Sequence, residues 1–148
     1  MFAHALWPLD EVTLLAAPAY LMVRPFTGPA SATNIRPTLT AMRIVSATLP
    51  AILAALWMAG VARRARCDAP RIVIAVTALL FATPLFAYGL LFFSHALSAF
   101  ALFGTWALLF ASGTGRRNQV AAGALIGLAV LSEYPNAVPA LVIVLCAM

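Results

Sequence analysis

The side chains able to do chemistry are few and lie far apart in the chain. Asp10 and Glu11 are adjacent acids. Such a pair supplies a general base or ligands for a divalent metal, and it equally suits a helix start, where carboxylates favour the positive end of the dipole. His95, within Phe92-Phe93-Ser94-His95, can hold a phosphate-bearing ligand or relay a proton. The plainer use is a neutral ring bonded to a backbone carbonyl or a serine hydroxyl of a neighbouring helix. Glu133, followed by Tyr134-Pro135, can face a cavity and pair with an arginine or a sugar hydroxyl, or it is an acid at a helix end in water. Arg43 lies in the first turn of an apolar run and can snorkel to lipid head groups. Asn34, Arg36, Tyr88 and Ser94 complete the set. Cys67 and Cys146 fit no metal or redox spacing, and the chain has no P-loop, G-x-S-x-G or dinucleotide fingerprint.

The elements that must position these groups are written in the hydropathy. Residues 72–115 contain no Asp, Glu, Lys or Arg, so a helix there has no charged face at any period. The 148 residues are 64% hydrophobic and 9% charged, against about 25% charged in soluble domains. Mean hydropathy is +1.01. A lipid solvent follows, and with it an all-α fold, a polytopic transmembrane helix bundle forming one membrane domain. About 20 apolar residues span a bilayer core. The expected helices are 12–23, too short to span and interfacial or part-inserted; 41–62, the clearest span; 68–82 and 86–111, a hairpin turning at Thr83-Pro84-Leu85; 120–132; and 136–148, which stops short of a crossing. Residues 24–40 read as a polar loop. Gly123 and Gly127 form a GxxxG pattern suited to close packing against a neighbouring helix of the chain.

The nine basic residues are all arginine, and the net charge is +5. The arginines fall at the ends of apolar runs, where they act as topology signals, so no nucleic-acid partner is expected. The clusters 63–71 and 116–117 are separated by an even number of crossings and can both be cytoplasmic. Arg24, Arg36 and Arg43 then fall outside and weigh against this orientation, but the tight clusters weigh more. The first residues lack a basic region before their apolar part, unlike a secretory signal.

Thr83–Leu97 (TPLFAYGLLFFSHAL) and Ala122–Pro135 (AGALIGLAVLSEYP), joined by a small-and-apolar helix and an arginine-bearing loop, resemble bacterial polytopic glycosyltransferases of the GT-C class, related to protein mannosyltransferases and aminoarabinose transferases. Asp10-Glu11 with the following Leu14–Tyr20, and Met42-Arg43-Ile44-Val45, are similar to further segments of that class. The resemblance implies sugar transfer at the outer face of the bacterial inner membrane from a polyprenyl-phosphate-linked donor. Asp10 or Glu11 would act as the base or bind a divalent metal ion. Arg43 and His95 would face the lipid phosphate, and Glu133 and Tyr134 would line the donor cavity. The class has more spans, a helix before the acidic loop and an acid-x-acid motif, where this chain has adjacent acids. The expectation is therefore an incomplete piece of such an enzyme, inactive alone. Two other readings stand beside it: part of a transporter or flippase with His95 and Glu133 on a substrate or proton path, and a small non-enzymatic membrane protein.

Overall fold

The computed structural model describes residues 20–22, 24–26, 28, 35–91, 94–112 and 115–147. Asp10 and Glu11 lie outside these residues, as does most of the helix expected over 12–23. Residues 20–22 and 24–26 are helical. That turn closes with the Gly28 N–H donating to Arg24 O, at a φ of 72° that glycine adopts without a Cβ clash.

Every regular element among the described residues is a helix, and no strand is present among them. Helix α1 runs Ile35–Arg64, 30 residues, and is the one described helix long and apolar enough to cross a membrane. It begins inside the stretch expected to be a polar loop. Arg36, Thr40 and Arg43 recur at helical spacing there, so one face can stay polar while Thr38 is buried. Pro50 lies within α1, and its ring has no N–H to give the carbonyl four residues back. The helix accommodates this by widening into a π segment over Ile44–Thr48, where the Leu49 N–H reaches back to Ile44 O.

Helix α1 ends in a Schellman motif: Cys67 N–H donates to Ala62 O and Arg66 N–H to Arg63 O, each at 3.0 Å. The left-handed position, usually glycine, is Arg66, with φ 58°. Helix α2 follows over Ala69–Phe81, with Asp68 paired to Arg71 at 3.3 Å. The chain then turns at Thr83-Pro84, where Thr83 Oγ1 donates to Leu79 O and accepts from Leu85 N–H.

Where the sequence suggests one helix over 86–111, the chain forms two. Helix α3 covers only Leu85–Leu90, and Leu91 is extended. Helix α4 spans His95–Ala111, its last five residues a π turn. The cause of the break is tertiary. Gly89 lies so close to α1 that a Cβ there would sit 3.0 Å from Ala51 Cβ, and the Gly89 carbonyl accepts Thr48 Oγ1 at 2.8 Å. A hydroxyl from α1 thus satisfies a carbonyl at the end of α3. Helix α5, Arg116–Ser132, starts a turn earlier than expected, with Gly115 at its N-cap and Asn118 Nδ2 donating to Ser112 O. After the 3₁₀ turn Tyr134–Asn136, helix α6 covers Ala137–Ala147.

The packing runs small inside and large outside. Among the described residues the buried hydrophobic core is alanine at eleven of twelve positions, Leu85 being the other, and the largest fully buried side chains are Thr105 and Ser132. Leu56, Ile74, Phe81, Val120, Leu131 and Val138 are each more than 60% exposed. Close approach of α1 and α4 is most marked at Gly104, which lies under the ring of Trp57 while that ring packs on Phe100 at 5.3 Å. Helices α4 and α5 meet through Thr105 Oγ1, which donates to Ala101 O and reaches Ala122 O, and through buried Ala129 and Ser132. Gly123 and Gly127 do not serve this contact: a Cβ at either would meet nothing within 4 Å among the described atoms. The alanines at heptad spacing, not the GxxxG pattern, form the packed face of α5.

Ser98 Oγ is buried on α4 with no hydrogen-bond partner among the described residues. Ser98→Ala removes an unsatisfied hydroxyl and is expected to leave stability unchanged or raise it by up to about 1 kcal/mol, whereas Thr105→Ala loses a satisfied one and lowers it by about 1 kcal/mol. Thermal unfolding of the two variants under identical conditions checks the difference in sign.

Candidate functional site

The bundle has two chemically distinct ends. At one, Arg64 Nη1 donates to Ser112 Oγ at 2.5 Å, which places the end of α1 beside the end of α4. The arginines of 63–71 and of 116–117 therefore share this end. At the other, the start of α4 meets the end of α5. Ser94 Oγ donates to Glu133 Oε1 at 2.8 Å, and His95 Nδ1 pairs with the same carboxylate oxygen. The Glu133 side chain is 19% exposed and that of His95 45%.

Local structure explains how the three groups meet. Helix α5 ends at Ser132, and Glu133 takes an extended conformation, φ −154° and ψ 114°. Pro135 has no N–H to continue the α-helix pattern of hydrogen bonds, and the buried Ala129 carbonyl, which takes the Glu133 N–H at 3.1 Å, also accepts Asn136 Nδ2 at 3.0 Å. This leaves the Glu133 carboxylate directed across to α4. The extended Leu91 and the break before His95 bring Ser94 and His95 to the top of α4, one helix start facing one helix end.

The Tyr88 ring stands edge-on to His95, with centroids 4.6 Å apart and planes at 64°. Both rings line a cavity of about 490 Å³ whose other walls are mostly apolar, from Leu79, Pro84, Leu85, Ala99 and Phe103, with Thr83 among them. A carboxylate holding an imidazole from behind, with the ring on a cavity wall, is an arrangement suited to fixing ring orientation and moving a proton. The serine hydroxyl adds a second donor to the carboxylate and holds it in place.

Arg43 is exposed and sits apart from this trio. It lines a smaller groove of about 330 Å³ with Leu39, Thr40, Leu90 and Leu91. Because Leu90 and Leu91 lead directly into the α4 start, Arg43 belongs to the same end of the molecule as His95. Tyr134 is adjacent to Glu133 but 77% exposed. Asp10 and Glu11 fall outside the described residues. Among those residues no three His, Cys, Asp or Glu side chains gather to hold a metal ion.

The sequence named Ser94, His95 and Glu133 individually but not their meeting; it assigned Glu133 an arginine or a sugar partner. A signal was there. Helices α4 and α5 are antiparallel and joined by a short loop, and His95 and Glu133 lie at nearly equal chain distance from it. No protein-family model, curated protein or solved structure matches this chain.

Proposed function

We propose that this chain is a multi-pass protein of the bacterial inner membrane whose Ser94–His95–Glu133 site, at the end away from the arginine clusters, takes a polyprenyl-phosphate-linked sugar. The membrane reading draws on the inverted packing: alanine between helices, leucine, isoleucine, valine and phenylalanine outward. Lipid is as apolar as leucine, so helices in it associate through small residues and backbone approach. Helix α1 rises about 45 Å, enough to cross a hydrocarbon core of about 30 Å with its polar first turns beyond it.

The observation that carries the substrate class is the Glu133-held imidazole on the wall of a mostly apolar cavity. That pairing of one polar anchor with a greasy surface fits an amphiphile, and lipid-linked sugars are amphiphiles. The two segments that resemble GT-C glycosyltransferases, 83–97 and 122–135, are the ones that meet here. In this reading His95 donates to a phosphate oxygen, Arg43 balances the lipid phosphate charge, and Tyr134 lies at the sugar side. Under the resemblance, Asp10 or Glu11 takes the proton of the acceptor hydroxyl as its oxygen bonds to the anomeric carbon. The sugar–phosphate bond breaks and polyprenyl phosphate leaves with the electron pair.

Reconstitution in nanodiscs tests this. The chain is expected to bind a short-chain polyprenyl-phosphate sugar, to release it to excess polyprenyl phosphate but not to free sugar, and to bind about tenfold more weakly as His95→Phe. Binding of free sugar alone, or Glu133-dependent proton flux in liposomes without lipid-linked sugar binding, selects a transporter instead. Release from vesicles by carbonate removes the membrane reading altogether.

The orientation has its own test. In a background of Cys67→Ala and Cys146→Ala, Tyr134→Cys is expected to react with an impermeant maleimide from the periplasmic side, and Arg117→Cys only after permeabilisation. Both positions are exposed, so burial does not confuse the result. The opposite pattern inverts the protein and places the site in the cytoplasm.

A further inference from the structure

The positive-inside rule accounts for arginines on the cytoplasmic side; it does not require that two loops some fifty residues apart be joined. Here they are, through Arg64 and Ser112. Arg63, Arg64, Arg66 and Arg71 come from the α1–α2 connection and the helix ends that flank it, Arg116 and Arg117 from the first turn of α5 after the α4–α5 loop, and all six are exposed. Within 63–71 and 115–119 the one carboxylate is Asp68, and it pairs with Arg71. The Arg66 backbone is held in the left-handed region, a conformation that costs a non-glycine residue about 1 kcal/mol, so this arginine sits in a tight turn rather than at the end of a free loop. Helices α2 and α5 both begin at this end, and their unbonded first N–H groups add positive potential.

We infer that this end binds the headgroup of an anionic phospholipid, engaged from both arginine clusters at once. The match is of charge and of position. The guanidinium groups present paired donors to a phosphodiester, a geometry in which arginine outperforms lysine, and the chain contains no lysine. A bilayer places its phosphates at the depth where these helices end, and the outward leucine, isoleucine and valine side chains offer a surface to the acyl chains. The inference rests on the membrane placement proposed above and is independent of the Ser94–His95–Glu133 site.

The experiment is lipid retention by native mass spectrometry of the full chain, delipidated in a nonionic detergent and titrated with phosphatidylglycerol or phosphatidylcholine. Phosphatidylglycerol is expected to be retained and phosphatidylcholine not. Arg63→Gln, at the first arginine cluster, and Arg117→Gln, at the second, are each expected to weaken retention about fivefold, while Arg117→Lys, which keeps the charge and loses the paired donors, falls between Arg117→Gln and the unsubstituted chain. Raising ionic strength weakens it further. Circular dichroism establishes that each variant keeps its helix content; if Arg117→Gln does not, Arg116→Gln takes its place. Equal retention of phosphatidylcholine, an effect confined to one cluster, or displacement of the lipid by millimolar inorganic phosphate each overturns the inference. A chain that stays monomeric without detergent fails at an earlier step, and that failure belongs to the membrane placement.

Discussion

Glu133→Ala is expected to lower the stability of the chain by about 2 kcal/mol and, under the function proposed above, to abolish tight binding of a polyprenyl-phosphate sugar. The carboxylate is the joint between the start of α4 and the end of α5, accepting from both Ser94 and His95. A hydrogen bond to a charged group contributes about 1.5–3 kcal/mol. Half-exposed His95 is screened by solvent and contributes toward the lower end, while part-buried Ser94 retains its share. For a chain of this size, 2 kcal/mol corresponds to about 5 °C in Tm. Glu133→Gln separates the roles, since its amide oxygen still accepts from Ser94 while the negative charge facing His95 is gone. Ligand binding is expected to fall at least tenfold in Glu133→Gln with a smaller loss in Tm. A double-mutant cycle with His95→Ala should return a coupling of about 1 kcal/mol. Strict additivity would mean that the pair, though adjacent, does no joint work.

The second large effect lies at the α1–α4 contact. A methyl group added at Gly104 would sit 2.1 Å from Trp57 Cζ3, 2.6 Å from Trp57 Cη2 and 3.0 Å from Leu125 Cδ1. No rotation of the methyl relieves that overlap, so the indole must leave its place on Phe100 or the helices must separate. Gly104→Ala is expected to destabilise the chain by about 2–3 kcal/mol, at the upper end of overpacking. Gly60→Ala is the control, because a Cβ there meets nothing within 4 Å. It should be neutral or stabilise by about 0.5–1 kcal/mol through reduced backbone freedom in the unfolded chain. Trp57→Phe combined with Gly104→Ala should recover part of the loss. If the two glycine variants unfold at the same temperature in detergent, the Trp57–Gly104 contact is not what holds α1 to α4.

Some of this architecture is legible in the residues and some is not, and the division has physical causes. Local steric rules act over a few residues, so the turn at Thr83-Pro84 and the helix end before Pro135 can be read from the proline alone. The helix over 86–111 reads as continuous because Leu, Phe and Ala carry no local signal to stop. Its break depends on Thr48, forty-one residues away, giving its hydroxyl to Gly89. The polar stretch Arg116–Gln119 looks like a loop by composition, yet it forms the first turn of α5. Gly123 and Gly127 carry a known packing pattern, but which face of α5 is packed depends on where α4 lies, and α4 takes the side of Ala122 and Ala129.

By itself the sequence determined the helical class, because so long a run of uncharged apolar side chains can satisfy its backbone only within its own helices where water is scarce. It also determined which side chains could do chemistry, since so few are polar. Tertiary structure alone decided that Ser94 and His95 would share the carboxylate of Glu133, and that Arg64 would join the two arginine clusters at the opposite end. The second depends on how α1 lies against α4, the first on the antiparallel register of α4 and α5. That register is set by alanines fitting between helices and by the Thr105 hydroxyl reaching from α4 to Ala122 of α5.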